Sequence, residues 1–199
     1  MSDPPSSDYP NLLIGIGASA GGLAPLLEII DHLSHGFQGA LLIATHRPPN
    51  APIEYPTILQ RYTRLHVSAP VHSEKLSCAH VYIARPDMVL TVDGRSVHLE
   101  YDPERLRRLQ RIDDLFTSIA ENAGPNSVGV ILSGALFDGI EGLKAIKAAG
   151  GTCMVQNPQD AVFKSMPLSA LAAIDCDVIG TPLEIASHLI ELAAGRRCH

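Results

Sequence analysis

The 199-residue sequence predicts an α/β fold: a modified doubly wound, mostly parallel sheet with helices on both faces and an antiparallel hairpin insert. Three observations predict it. Short runs rich in Val, Ile and Leu alternate with stretches of helical periodicity, the pattern of strands joined by crossover helices. The strand runs are apolar throughout rather than at every second residue, as a sheet covered on both faces requires. Asp93-Gly94-Arg95 separates two alternating runs, a hairpin signature that interrupts the parallel order.

In chain order, 12–17 reads as a buried strand. It is followed by a helix over 22–33, whose Leu23, Leu26, Leu27, Ile30 and Leu33 form an apolar stripe. A second strand over 40–45 runs into His46 and the loop Arg47-Pro48-Pro49-Asn50. The spacing then predicts a short helix over 58–65, strands over 67–71 and 81–84, and the hairpin 88–92 with 96–99. Parallel order resumes with a helix over 112–123, a strand over 127–132, a helix over 139–149 and a strand over 152–156. A helix over 167–173, a strand at 178–179 and a helix over 182–194 close the chain.

Composition limits what the chain can be. With 46% hydrophobic residues it is long enough to bury one ample core, so a single domain is expected over 11–194, with a flexible segment 1–10 and a tail 195–199. A formal net charge of −6 argues against a nucleic-acid partner. No apolar run is long enough to span a bilayer, and the first residues lack the basic and apolar regions of a signal peptide. The expectation is therefore a cytoplasmic protein without membrane insertion. Cys78, Cys153, Cys176 and Cys198 fall at no metal-ligand spacing, nor do His66, His72, His80 and His98, so no metal and no cofactor are expected.

The chemistry is concentrated at predicted strand ends, where ligands of such sheets bind. Gly17-Ala18-Ser19-Ala20-Gly21 spells a sharp strand-to-helix turn that lifts a serine hydroxyl to a helix N-terminus. His46 follows the second strand, and Asp138 follows the strand 127–132. Together they form a candidate Ser/His/Asp constellation, with Ser19 as nucleophile, His46 as base and Asp138 as its orienting carboxylate. Backbone amides near Ala20, Gly21 and Ala135 are candidates for holding an oxyanion. Two further classes stay open on the residues alone. Gly15, Gly17 and Gly21 approximate a phosphate-binding loop of a nucleotide-binding α/β protein, although His46 stands where a ribose-binding acid is expected. A catalytically weakened binding module of the same fold is the other.

Four ordered motifs carry a closer resemblance: Gly15-Ile16-Gly17-Ala18-Ser19-Ala20-Gly21-Gly22, Thr45-His46-Arg47-Pro48-Pro49, Ser133-Gly134-Ala135-Leu136-Phe137-Asp138-Gly139, and Gln156-Asn157 with Ser165-Met166-Pro167. From about Asn11 to about Leu192 the chain resembles the catalytic domain of CheB-type chemotaxis receptor protein-glutamate methylesterases. The resemblance implies a modified doubly wound fold and a cytoplasmic serine hydrolase without cofactor. Its substrates would be glutamate methyl esters on chemoreceptor signalling helices, with methanol released and receptor glutamines also deamidated. It also implies that Ser19, His46 and Asp138 form the triad. Because the segment 1–10 leaves no room for an attached receiver domain, regulation is expected from a separate response-regulator or chemosensory protein.

The chain departs from the family pattern at four places. Ala20 stands where threonine is usual. Ala135 and Leu136 replace the methionine and second glycine of Gly-Met-Gly, and Gln110-Arg111 replaces a Pro-Ser pair. The glycine replacement is costly if position 136 requires positive φ. Finally, Arg107, Arg108 and Arg111, with Arg105, Arg61 and Arg64, read either as a solvated face or as cations that steer an acidic receptor helix to the site.

Overall fold

A computed structural model describes residues 9–47, 55–104 and 106–195. The elements are β1 (Leu12–Ala18), α1 (Leu23–His32), β2 (Gly39–Thr45), α2 (Tyr55–Gln60), β3 (His66–Ser68), β4 (His80–Ile83), β5 (Met88–Asp93), β6 (Ser96–Tyr101) and α3 (Arg111–Ala123). They continue as β7 (Ser127–Ile131), α4 (Ile140–Ala148), β8 (Thr152–Gln156), α5 (Ser165–Ala173), β9 (Val178–Gly180) and α6 (Pro182–Gly195). Seven strands pair in parallel in the order β3-β4-β2-β1-β7-β8-β9, and β5 and β6 form a separate antiparallel hairpin. The chain winds outward from β1 through β2 in one direction and resumes on the other side of β1 with β7. That reversal leaves a crevice at the carboxyl ends of β1, β2 and β7.

The two faces of β1 explain how that crevice is built. Leu12, Ile14 and Ile16 point into a core shared with Leu26, Ile29 and Ile30 of α1 and Ile185 and Leu189 of α6. Leu13 points the other way, toward Ile112, Leu115, Phe116 and Ile119 of α3 and the hairpin's Leu90, Val92 and Val97. On that second face β1 carries glycine at its next two positions. A Cβ on Gly15 would lie 2.6 Å from the Phe116 ring, and one on Gly17 would lie 2.5 Å from Ile112. Two of the three glycines that approximate a phosphate loop in the sequence, Gly15 and Gly17, are thus accounted for by the close docking of α3 on the sheet. Gly142 lets α4 approach in the same way, since its Cβ would lie 2.5 Å from Phe116.

The helix expected over 58–65 ends early, at Gln60. The Gln60 amide donates to Leu65 O at 2.9 Å and accepts from Val67 N at 2.9 Å, while Thr63 Oγ1 donates to Ile30 O at 2.6 Å. Arg61 and Tyr62 still donate to Ile58 O and Leu59 O in a closing turn, and from 63 to 65 side chains satisfy the backbone in place of helical bonds. The next strand accordingly spans His66–Ser68 rather than 67–71. Of the sequence expectations, the segment 1–8, the loop residues 48–50, Arg105 and the tail 196–199 lie outside the described residues. Among the described residues no helix is long and apolar enough to cross a membrane.

Candidate active site

Ser19 and His46 leave adjacent parallel strands side by side. Ala18 pairs with Thr45 in the ladder, and the His46 amide extends it by donating to Ala18 O at 3.3 Å. Neighbouring strands run about 4.8 Å apart, so the two residues emerge within side-chain reach of each other. Asp138 arrives on the loop after β7. His46 Nε2 and Asp138 Oδ2 are 2.7 Å apart, and the side chains are only 11% and 1% exposed. The carboxylate has further partners: Oδ2 accepts from Ile112 N and Oδ1 from Asp113 N, each at 3.1 Å. These are amides of the first turn of α3, which would otherwise lack partners and which turn the positive end of the helix dipole toward the carboxylate. With Nε2 committed to Asp138, Nδ1 is the ring nitrogen left for a proton transfer.

The turn carrying Ser19 is clamped from β7. Ser19 N donates to Ser133 O at 3.1 Å and Gly22 N donates to Ser19 O at 3.0 Å. Gly21 has φ +71°, and a Cβ on Gly22 would lie 2.6 Å from Ala18 Cβ and 2.9 Å from Ser133 O, so both glycines are required by the turn. Ser133 is fully buried, and its hydroxyl donates to Ala20 O at 2.9 Å and accepts from Phe163 N at 3.0 Å. Its own amide donates to Gln156 Oε1 at 2.8 Å, and Gln156 Nε2 reaches Asp160 O at 3.3 Å. Gln156, which the sequence places at the end of the strand 152–156, is a buried strut that ties β8 to the turn carrying Ser19. Ser133 sat inside a quoted motif without a role; its signal was its place at the end of the apolar strand.

The amides of this region divide. Those of Ser19 and Gly134 are committed to Ser133 O and Phe163 O, whereas those of Ala20, Gly21 and Ala135 make no hydrogen bond among the described residues. Leu136 sits at φ +77°, the left-handed conformation for which glycine is suited, and Gly139 sits at φ +100°. Leu136 is 47% exposed and Phe137 65% exposed. Val162 and Phe163, also exposed, approach Gly21.

The arginines divide. Arg111 was a candidate for surface steering, but it is buried: Nη2 donates to Asp102 Oδ2 at 3.0 Å, and Nη1 to Pro86 O at 2.7 Å and Met88 O at 3.1 Å. It anchors the start of α3 instead of facing a partner. Arg107 is pinned by Glu100 and by Asp114, the latter at 2.8 Å, while Arg108 is exposed. Next to Asp138, Asp113 Oδ1 accepts from Gly142 N at 2.8 Å. Burial, reinforced by the charge of Asp138, pushes its carboxyl from 3.8 to about 6.

The profile described as CheB methylesterase matches residues 14–189. A protein-glutamate methylesterase/protein-glutamine glutaminase of Paraburkholderia xenovorans is 33% identical over 182 residues, covering 89% of this chain and 50% of that protein. The protein of that name from Escherichia coli K12 is 32% identical over 189 residues, covering 92% of this chain and 54% of its own length. The chain thus spans about half the length of the curated relatives it matches. The crystal structure of the Thermotoga maritima CheB methylesterase catalytic domain superposes with a TM-score of 0.81 at 26% identity, covering 94% of this chain and 100% of that one. The chain belongs to the CheB methylesterase family.

Two outcomes follow from the loop and from Asp113. Leu136→Gly relieves a left-handed leucine at a cost in unfolded-chain entropy, for a net gain of about 0.5–1 kcal/mol in unfolding free energy by denaturant titration. A loss of stability would contradict the strain. A carboxyl whose pKa is raised on folding contributes stability that is complete below its unfolded value and is lost as pH rises through the folded value. Unfolding free energy should therefore carry a declining component between about pH 4 and about pH 6. Asp113→Asn should flatten that component, and an unchanged slope would assign it to other groups.

Proposed function

We propose that this domain is a serine hydrolase that demethylates glutamate methyl esters on the signalling helices of chemoreceptors, releasing methanol, and that it also deamidates receptor glutamines. The observation that carries this reading is the 2.7 Å contact between His46 Nε2 and Asp138, formed where Ser19 emerges from the neighbouring strand. Activity and substrate follow the names of the relatives above, and the receptor helix is the partner expected of the family.

In this mechanism Ser19 Oγ attacks the ester carbonyl as His46 Nδ1 takes its proton. The imidazolium is held by the Asp138 carboxylate, which keeps its charge and fixes the ring. Negative charge gathers on the former carbonyl oxygen, and amides of Ala20, Gly21 and Ala135 are the donors for it. Collapse expels methoxide, which leaves as methanol with the proton from His46, or ammonia when the substrate is a glutamine. A water then attacks the glutamyl-serine ester, His46 again taking the proton, and a glutamate carboxylate departs as Ser19 recovers its hydroxyl. Among the described residues of the arginine run, Arg108 is the exposed one, and in this reading it draws an acidic helix by long-range attraction.

The test is methanol release from methylated receptor fragments by the purified chain and by its Ser19→Ala variant. Loss of turnover by about 10³-fold or more in the variant is the expected result. Equal release by both proteins would overturn the serine mechanism. Binding of the fragments without release by either would point to the weakened binding module, for which the left-handed Leu136 is the relevant departure.

A further inference from the structure

Helices α3 and α4 meet at their N-termini, and neither caps itself there. Their N-cap residues, Gln110 and Gly139, make no side-chain hydrogen bond to their own helix. The first intrahelical bonds run from Asp114 N to Gln110 O at 2.8 Å and from Leu143 N to Gly139 O at 2.9 Å, so the amides ahead of Asp114 and Leu143 must be satisfied from outside. Each helix is capped by an aspartate of the other. Asp138, just ahead of α4, accepts from Ile112 N and Asp113 N of α3, each at 3.1 Å. Asp113, in the first turn of α3, accepts from Gly142 N of α4 at 2.8 Å.

The exchange closes a ring that runs from the Asp138 carboxylate to α3, from the Asp113 carboxylate to α4, and back along the chain to Asp138. Glycines let the helix ends touch. A Cβ on Gly142 would lie 3.1 Å from Asp113 Cα, and one on Gly139, which has φ +100°, would lie 2.7 Å from Ile112 Cγ2. Ahead of Asp138 the chain is held less. Ala135 and Leu136 make no backbone hydrogen bond among the described residues, and Leu136 and Phe137 are exposed. The firmer hold on Asp138 therefore comes from α4, whose first turn is linked to α3 by the Asp113 side chain. A carboxyl oxygen accepts whether the group is protonated or charged, so the link survives the titration of Asp113.

We propose that Asp113 is a positioning residue for the His46–Asp138 pair: by capping α4 from α3 it fixes the turn that delivers Asp138, and so sets the 2.7 Å contact of that carboxylate with His46 Nε2. A side chain that withdraws from Gly142 lets the start of α4 move off α3. Asp138, which directly precedes the N-cap Gly139, moves with it. A displacement of about 1 Å at the group that orients a base costs on the order of 10²-fold in turnover. Asp113 thus acts through Asp138. Its effect on turnover rests on the hydrolase reading above, whereas its effect on the contact does not.

Two readouts on the purified chain test this role. The first is the proton on His46 Nε2, followed by nitrogen-15 NMR of labelled histidine without substrate, with circular dichroism to show that each variant is folded. Asp113→Ala should shift that proton upfield or lose it, and Asp113→Asn, which restores an acceptor for Gly142 N, should bring it back. Asp113→Glu keeps the carboxylate but lengthens its arm by a methylene; it should shift the resonance as alanine does, and it serves where the alanine variant does not fold. The second readout is methanol release from methylated receptor fragments. There kcat should fall by about 10-fold or more in Asp113→Ala with KM little changed, and recover in Asp113→Asn. A residue that only stabilises the fold would lower Tm and leave the resonance of the folded protein in place. A His46 resonance unchanged in a folded alanine or glutamate variant, or absent from the wild type, would overturn the role of Asp113. No methanol from the wild type, with the resonance responding as expected, would overturn the hydrolase reading and uphold the positioning.

Discussion

The carboxylate of Asp138 is the point at which this fold becomes a site. It is almost wholly buried and accepts from His46 Nε2 and from two amides at the start of α3. A buried charge is tolerable only when such donors surround it. That requirement propagates outward. The first turn of α3 reaches Asp138 because the helix docks on glycines of β1, where a Cβ at 15 or 17 would strike Phe116 or Ile112. The helix start is in turn fixed by the buried Arg111–Asp102 pair, whose guanidinium also closes two carbonyls of the segment entering β5. Removing one member of such a pair leaves the other charge buried and unpaired, at a cost of about 3–5 kcal/mol.

A second frame holds Ser19, the proposed nucleophile. Ser133 takes bonds from three directions, so that the turn at Ser19, the end of β8 through Gln156 and the loop at Phe163 share one buried hydroxyl and amide. Gly134 is squeezed between Ser19 Cβ and Met166, which puts α5 in direct support of the serine. The two frames meet at β7. Its carboxyl end supplies Ser133 to one and, five residues on, Asp138 to the other, so the spacing between nucleophile and carboxylate is set by a single loop. Leu136 lies in that loop in a conformation that leucine disfavours, which is held by the bonds on either side of it.

Strands β1, β2, β7 and β8 were legible because they are apolar throughout and short, and the hairpin because Asp93-Gly94 punctuates it. Placing Ser19, His46 and Asp138 at strand ends needed only that pattern and the rule for parallel sheets. The motif raised positive φ at 136 only as a condition, and the backbone adopts it. Other features depend on tertiary partners no local window contains. Arg111 reads as one of a run of surface cations, yet carbonyls 23 and 25 residues away in sequence draw it inside. Gln60 ends α2 by bonding forward to Leu65 and Val67, a choice that helical periodicity cannot see. Gln156 is legible as the end of a strand, but its acceptor role toward Ser133, on the loop after β7, is not.

The central claim is that Asp138 holds His46 through Nε2 and thereby leaves Nδ1 as the base. The most direct measurement is the nitrogen-15 NMR spectrum of selectively labelled histidine in the resting protein, with His46 assigned by substitution. The expected result is a ring proton on Nε2, shifted far downfield by its bond to the carboxylate and lost from that position in Asp138→Asn. A ring protonated at Nδ1, or a His46 signal indifferent to Asp138, would contradict it.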